Sequence, residues 1–348
     1  MRRPRLLAPP GIRFAIYHCV SRVVNRDKVF GEAEKNHFIK LMRLYAQLYG
    51  LRILTHCLMD NHFHILVEVP KPPDVLPTNE ELVALVRATL GEERADNLAN
   101  WFQRWTEQGN DLAIVAERER WFRQMWNLPS FMKVLKQRFS QWFNGTRPTR
   151  RAGTLWEDRY RSVLVENGQA LRAIAAYVDL NPIRAGKTHD PKDYRWSGYG
   201  EALRGSTAAF EGLQWIFDQS FRNDVSMKGS AAAGASPVLD WYREQLYTRG
   251  EEVRNAEGSV IKQGFTEEEI QEVIQSGGRL PLTVLLRLRV RHFTDGAVLG
   301  TTEFVEKVFQ SYRDRFSGRR KAGSKRIQKL DPANPLRVAR GLVVRAVG

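Results

Sequence analysis

In the first seventy residues, the spacing of apolar side chains changes between the pattern of a strand and that of a helix. Residues 12–24 are rich in β-branched and aromatic side chains, which predicts a strand. Apolar residues recur at helical spacing over 32–49, and Gly50 follows as a helix stop. The strand-like runs 52–58 and 62–69 are separated by a short turn. This spacing predicts an antiparallel hairpin.

The pattern continues to residue 181 with more helical segments and one more strand. Residues 79–126 are polar, rich in tryptophan and helical in spacing, and 130–144 predict a further helix. Residues 154–166 predict a strand, and 168–181 predict a helix that Pro182 ends, because proline lacks a backbone donor. The order strand, helix, strand, strand, helices, strand, helix favours an α+β fold, with helices packed on an antiparallel sheet.

The composition changes after residue 200. Residues 201–237 are predicted to be a linker, because 226–237 consist mainly of small and polar residues. Residues 238–316 are again helical in pattern and predict a helical accessory region. Residues 317–348 form a basic tail that is expected to be partly disordered. Two roles are open for this tail: a solvated segment without a partner, or a segment that binds DNA.

Net charge suggests the type of partner. The formal net charge is +15, and an excess of Lys and Arg favours a polyanion such as nucleic acid, although it also fits an unrelated basic enzyme. Cys19 and Cys57 lie in apolar runs and are expected to be reduced, which excludes a disulfide framework. We find no signal peptide or apolar stretch of membrane length, so we expect a cytoplasmic protein that does not bind membranes.

Two histidines in the predicted hairpin are candidate metal ligands. On a strand, residues two apart face the same side, so His62 and His64 present two imidazoles together while Phe63 faces the other way. Two neighbouring imidazoles can chelate one divalent metal. The alternative is a pair of ordinary, half-buried histidines, since a bare His-x-His is a weak motif.

A tyrosine near the end of the last predicted helix is a candidate nucleophile. Tyr177 and Asn181 are four residues apart and share a helix face. A phenol can attack a phosphodiester, and the amide oxygen of Asn181 could complete a metal site. The alternative is that Tyr177 is a core aromatic residue and Asn181 merely ends the helix before Pro182.

Taken together, these segments resemble the REP-associated tyrosine transposases, which are single-tyrosine members of the HUH superfamily. Five separated blocks agree in order, and the resemblance covers about residues 10–200. The blocks are 17–22 (YHCVSR), 57–67 (CLMDNHFHILV), 155–162 (LWEDRYRS), 177–186 (YVDLNPIRAG) and 194–199 (YRWSGY).

The resemblance implies a ferredoxin-like HUH catalytic domain over residues 1–200, with a helical insertion at about 71–126 that is longer than in compact members. It implies that His62 and His64 bind the metal, that Tyr177 is the nucleophile, and that Asn181 holds the polar position one turn later. The implied substrate is single-stranded DNA with palindromic hairpins, cleaved and rejoined through a 5′-phosphotyrosine. The expected cofactor is Mg²⁺ or Mn²⁺.

Several basic or aromatic side chains near these blocks are expected to contact DNA. They are His18, Arg22, Arg159, Arg161 and Arg184. Segment 287–305 also resembles the C-terminal extensions of part of the family. Because this extension could cover surface that a partner would use, a monomer is favoured over a homodimer. Two alternatives remain: a domesticated protein that binds structured DNA or RNA without cutting it, and a metallohydrolase in which Tyr177 is structural.

Overall fold

The structure is a computed structural model, and it divides the chain into two compact units. We call residues 1–30, 53–67 and 157–348 the sheet unit, and residues 31–52 and 68–156 the helical unit. The described residues are 6–7, 9, 12–147, 152–220, 235–246, 253–254, 260–262, 292–327 and 334–343.

The described residues of the helical unit form the helices α1 (Glu32–Leu48), α2 (Asn79–Leu90), α3 (Glu92–Glu107), α4 (Asp111–Phe122) and α5 (Leu128–Gly145). Helix α2 begins with a capping box, in which Thr78 and Glu81 exchange side-chain and backbone hydrogen bonds. Phe38 of α1 and Phe139 of α5 are fully buried and meet edge to face, with ring centroids 5.2 Å apart. Aromatic packing therefore joins α1 to α5. The helical insertion predicted at 71–126 forms α2, α3 and α4.

The main sheet begins with four strands: β1 (Phe14–Arg22), β2 (Arg52–Leu58), β3 (His62–Pro70) and β4 (Arg161–Val165). Their spatial order is β2-β3-β1-β4, the order of a ferredoxin-like sheet. Strands β1 and β4 are antiparallel, with His18 opposite Val163. Ile16 on β1 and Leu66 on β3 are fully buried, so these strands form part of the core. The predicted α+β class is confirmed.

Within the described residues, the sheet unit contains the helices α6 (Gln169–Asp179), α7 (Asn181–Arg184), α8 (Gly198–Leu203), α9 (Thr207–Ser220), α10 (Ala235–Leu246), α11 (His292–Asp295) and α12 (Thr302–Ser311). Helix α6 is buried along most of its length, including Leu171, Ile174 and Val178. It contacts strand β4 and helices α9 and α10. Burial on several sides explains why α6 is almost entirely apolar.

The linker predicted over residues 201–237 is wrong for residues 207–220, which form helix α9. Leu213 and Ile216 on this helix are fully buried. A Cβ atom added at Gly212 would lie 2.4 Å from the backbone oxygen of Leu54, so a residue without a side chain lets the helix approach the strand closely. The polar composition of 226–237 does not extend back to this helix. Residues 221–234 lie outside the described part of the chain.

The described residues after 246 include the short strands β5 (Val253–Arg254), β6 (Val260–Lys262), β7 (Val298–Gly300), β8 (Lys325–Arg326) and β9 (Arg337–Ala339). Strands β5 and β6 form a separate two-stranded sheet. Strand β7 pairs parallel to β4, placing Val298 opposite Leu164, and β9 and β8 complete a seven-stranded sheet.

This extension corrects two predictions. The region predicted to be helical at 238–316 contains strands, and its β7 belongs to the same sheet as β1 to β4. Within the basic tail 317–348, the described residues include β8 and β9, so that part is ordered in the sheet. Strands of two or three residues are too short to show a recognisable alternation of apolar and polar side chains. The pairing of β7 with β4 satisfies backbone groups that β4 would otherwise expose at the edge of the sheet.

Candidate functional site

Strand β3 places two imidazoles side by side. His62 and His64 have ring centroids 5.2 Å apart and an interplanar angle of 73°. Phe63, on the opposite face of the strand, is completely buried. His64 is buried and His62 is partly exposed, so the pair extends from the interior to the surface. The alternation of side chains along a strand accounts for this geometry.

Tyr177 lies near the end of helix α6, beside these histidines. Its ring centroid is 6.1 Å from that of His64 and 6.0 Å from that of His18. The ring of Phe293 packs edge-on against Tyr177 at 5.1 Å. Tyr177 is only 4% exposed, so its phenol ring is enclosed by aromatic neighbours in the absence of DNA.

A guanidinium group lies against the tyrosine. The Cζ of Arg184 is 3.8 Å from the centroid of the Tyr177 ring, a cation–π contact. The short helix α7 returns Arg184 toward the end of α6, where its Nη2 donates a hydrogen bond to the backbone oxygen of Tyr177. Arg184 and Arg22 both act electrostatically on His64. The site therefore carries positive charge suited to an anionic group.

His18 on strand β1 joins the histidine pair to the C-terminal part of the chain. Its Nδ1 is 2.8 Å from the backbone oxygen of Phe293, and its Nε2 is 2.9 Å from Nδ1 of His64. The planes of the His18 and His64 rings are nearly parallel, at 15°, and their centroids are 5.1 Å apart, as expected for two rings joined edge to edge by this hydrogen bond. Burial lowers the pKa of His18 to about 4, partly offset by the Phe293 hydrogen bond, so the ring is neutral near pH 7.

The pKa of His64 is also lowered well below its usual value. The largest cause is burial, followed by the neighbouring His18 and His62 and by the positive charges of Arg184 and Arg22. A neutral imidazole is the form that binds metals.

Asn181 lies one helical turn after Tyr177 and is buried. Its Nδ2 donates to the backbone oxygens of Val178, at 3.1 Å, and Tyr177, at 3.3 Å. These bonds occupy the amide nitrogen. The other polar atom, Oδ1, is of the kind that hard divalent metals bind.

The other predicted DNA contacts lie in different surroundings. Arg22 is half-buried near His64, whereas Arg159 is exposed on the loop before β4. Arg161 is exposed and forms an ion pair with Asp295 of helix α11. Of the residues predicted from sequence, the structure thus groups His18, His62, His64 and Tyr177 with Arg184. Arg161, on strand β4, instead pairs with Asp295 of the C-terminal segment.

The histidine pair on strand β3 offers two imidazoles to a divalent metal. Amide, water or phosphate oxygens would complete the coordination preferred by Mn²⁺ or Mg²⁺. Within the described part of the chain, no three or more His, Cys, Asp or Glu side chains form a cluster suited to a metal. A metal here would consequently depend on ligands from water and substrate.

A buried carboxylate holds the end of helix α6. Asp179 accepts hydrogen bonds from the hydroxyls of Tyr242, at 2.6 Å, and Thr55, at 2.7 Å, and from the backbone N–H of Tyr199, at 3.0 Å. Burial raises its pKa to about 6, although these hydrogen bonds act in the opposite direction. Asp179 therefore ties the helix that carries Tyr177 to strand β2 and helices α8 and α10.

Sequence reasoning missed Phe293 and Tyr242. The similarity of segment 287–305 to C-terminal extensions pointed to the neighbourhood of Phe293 but not to its contacts with His18 and Tyr177. Tyr242 lies in a region whose helical spacing gives no sign of a buried partner at Asp179.

The chain is thus an α+β protein whose mostly antiparallel sheet carries two adjacent histidines beside a helical tyrosine. Residues 13–79 match the sequence model of the family described as Transposase IS200 like. The matched segment includes β1 and both histidines of β3, so the chain is similar to the IS200-like transposases over this part. Tyr177 lies outside the matched residues.

Solved structures include one described as "Structure of the REP associates tyrosine transposase bound to a REP hairpin". It is similar to this chain with 11% sequence identity and a TM-score of 0.36, covering 59% of this chain and 86% of that chain. No curated protein matches the sequence. None of the described helices is both long and apolar enough to span a membrane.

Proposed function

We propose that this protein cleaves and rejoins single-stranded DNA at palindromic, hairpin-forming sequences, with Tyr177 as the nucleophile. The observation that carries the proposal is the grouping of Tyr177 with two strand histidines and with Arg184. The family match over residues 13–79 supports a transposase reaction on DNA.

In the proposed reaction, Oη of Tyr177 attacks the scissile phosphorus. The bond between Oη and phosphorus forms as the bond from phosphorus to the 3′ oxygen breaks. The phenol loses its proton and the departing 3′ oxygen gains one, which leaves a 5′-phosphotyrosine and a free 3′-hydroxyl. Attack by a 3′-hydroxyl on the phosphotyrosine reverses these steps, so rejoining needs no nucleotide cofactor.

Each neighbouring group has a distinct task. Arg184 stabilises negative charge that develops on the phosphate, and its contact with the Tyr177 backbone keeps it beside the nucleophile. Arg22 adds positive charge near His64. His62 and His64, with Asn181, would hold Mg²⁺ or Mn²⁺, which supplies Lewis-acid polarisation of the phosphate when bound.

Tyr177 is enclosed by its neighbours, so the proposed attack requires that its hydroxyl becomes accessible to the scissile phosphate. Phe293 covers one side of the ring, and helix α11, which carries Phe293, is held by the Arg161–Asp295 ion pair. We propose a monomer in which Arg159 and Arg161, near strand β4, contact the phosphates of the DNA.

A binder of structured DNA or RNA without cleavage is the second candidate. It is favoured by the net charge of +15 and by the burial of the tyrosine, and it would make the phenol dispensable. Cleavage chemistry distinguishes the two candidates directly.

The decisive experiment traps the covalent intermediate. The full chain is incubated with a labelled single-stranded hairpin and Mn²⁺, and a denaturing gel separates protein-linked DNA from free DNA. We expect wild type to form an adduct, and Tyr177→Phe to bind the hairpin normally without forming one. Tyr312→Phe, in the C-terminal region, is the matched control and should retain the adduct.

Each alternative result has a clear meaning. An adduct with Tyr177→Phe assigns the nucleophile to another residue. Cleavage without any adduct indicates a metallohydrolase, and hairpin binding without cleavage indicates the non-cutting binder.

A further inference from the structure

The orientation of the Asn61 side chain determines the tautomer of His62. Nδ2 of Asn61 is 2.9 Å from the backbone oxygen of Arg26, and only the amide nitrogen can donate to that oxygen. Oδ1 of Asn61 therefore faces Nδ1 of His62, at 2.8 Å, and acts as an acceptor. Nδ1 of His62 has to carry the hydrogen, and in the neutral ring the lone pair resides on Nε2.

A second chain of hydrogen bonds determines the tautomer of His64 in the same way. The backbone oxygen of Phe293 can only accept, so Nδ1 of His18 carries a hydrogen. In a neutral His18 the other nitrogen, Nε2, is an acceptor, and it lies 2.9 Å from Nδ1 of His64. Nδ1 of His64 then donates, and its lone pair also resides on Nε2.

We propose that His18 and Asn61 are positioning residues that fix His64 and His62 in the tautomer whose Nε2 can bind a divalent cation. This inference rests on the proposed function, because the cation site is part of it. Partners that hold the second nitrogen of a ligating imidazole set its orientation and basicity. His18 is thereby assigned to the support of the site instead of to DNA contact.

Both hydrogen-bond chains end on backbone carbonyls, which cannot rotate away like a side chain. Arg26 lies in a turn where it and Asn25 have left-handed φ angles of 59° and 56°, a conformation that costs energy in residues with side chains. Phe293 lies on the C-terminal segment, on helix α11. The C-terminal region thus takes part in the histidine site through its backbone, in addition to covering Tyr177.

The first test is independent of metal. Full-length protein with ¹⁵N-labelled histidine is prepared metal-free, and long-range ¹H–¹⁵N NMR reports which ring nitrogen carries hydrogen. Seven histidines make assignment by single His→Gln variants practical. We expect hydrogen on Nδ1 and none on Nε2 in both His62 and His64. Hydrogen on Nε2 of either ring overturns the proposal for that ring.

The second test measures Mn²⁺ affinity of the DNA-free protein by calorimetry. His18→Leu and Asn61→Ala should each weaken Mn²⁺ binding about 10- to 100-fold, the usual effect of losing a partner of a ligating histidine. His18→Gln retains an acceptor for His64 and should recover much of the loss. His56→Leu removes another buried histidine, on strand β2, and should bind Mn²⁺ like wild type.

These results separate the inference from the proposed function. Wild-type affinity in both His18→Leu and Asn61→Ala overturns the inference, as does an equal loss in His56→Leu. Absence of Mn²⁺ binding by wild type would overturn the metal-dependent function, while the NMR measurement would still decide the tautomers. If His18→Leu fails to fold, the wild-type spectrum and His18→Gln decide the outcome.

Discussion

Arg184 and Tyr177 contact each other both through the aromatic ring and through the backbone. The guanidinium carbon lies 3.8 Å from the ring centroid, and Nη2 donates to the Tyr177 carbonyl oxygen. Because helix α6 ends at Asp179 and α7 begins at Asn181, the chain bends between the two residues and returns Arg184 to the tyrosine. A fixed cation beside the phenol is suited to a reaction in which phosphate gains charge.

Replacing Arg184 should therefore impair cleavage more than binding. We expect Arg184→Ala to lower the single-turnover cleavage rate about 100-fold, the size of effect seen when one stabilising donor is removed. Arg184→Lys keeps the charge without the planar group and should recover part of the rate. Arg172→Ala, on helix α6, is the control and should cleave at the wild-type rate. An unchanged rate in Arg184→Ala would exclude a role in catalysis.

Asp179 should make stability depend on pH. Burial raises its pKa from 3.8 to about 6, so between these values the folded protein binds more protons than the unfolded chain. The contribution of this group to stability is therefore present at about pH 4 and is lost as pH rises through 6, by at most roughly 3 kcal/mol. Asp179→Asn should flatten this decline.

The measurement is the free energy of unfolding by urea from pH 4 to 7, taken as the difference between wild type and Asp179→Asn. Other carboxylates titrate in the same range, but their contributions cancel in this difference. If the two pH profiles run parallel, the pKa of Asp179 is not raised by folding.

Gly212 should resist substitution even though it lies in a helix. An alanine Cβ would lie 2.4 Å from the Leu54 backbone oxygen, so strand β2 or helix α9 would have to shift. We expect Gly212→Ala to lower the free energy of unfolding by about 1–3 kcal/mol, despite the better helix propensity of alanine. Thermal denaturation measures the effect, with the exposed neighbour Glu211→Ala as control. A more stable Gly212→Ala protein would show that α9 does not pack this closely.

The C-terminal strands should be required for a stable sheet unit. Val298 of β7 is fully buried and lies opposite Leu164 of β4. Val298→Lys should lower the melting temperature and the soluble yield, because it places a charge in the core and disturbs the pairing that covers the edge of β4. Glu303→Lys, on the exposed side of α12, changes charge without burial and should melt like wild type. Equal melting temperatures would mean that β7 adds little to the fold.

The local relationships in the site could be predicted from sequence because they follow from periodicity. The alternation of a strand brings His62 and His64 together with Phe63 on the other side, and the structure has this arrangement. The helix that carries Tyr177 and ends before Pro182 is equally a local consequence of apolar spacing and of the missing proline donor. The α+β class followed from the order of such segments.

The sheet extension and the surroundings of the site were decided by tertiary structure. Strand β7 has only three residues, so its pairing with β4 leaves no periodic pattern in the sequence. Residues 207–220 form a packed helix, which a linker prediction based on composition could not reveal. One ring nitrogen of His18 contacts a ring nitrogen of His64, and the other contacts the backbone oxygen of Phe293. Every residue type has such a backbone oxygen. A contact made by the backbone imposes no choice of amino acid, and for that reason only the folded chain identifies Phe293 as a neighbour of the histidines.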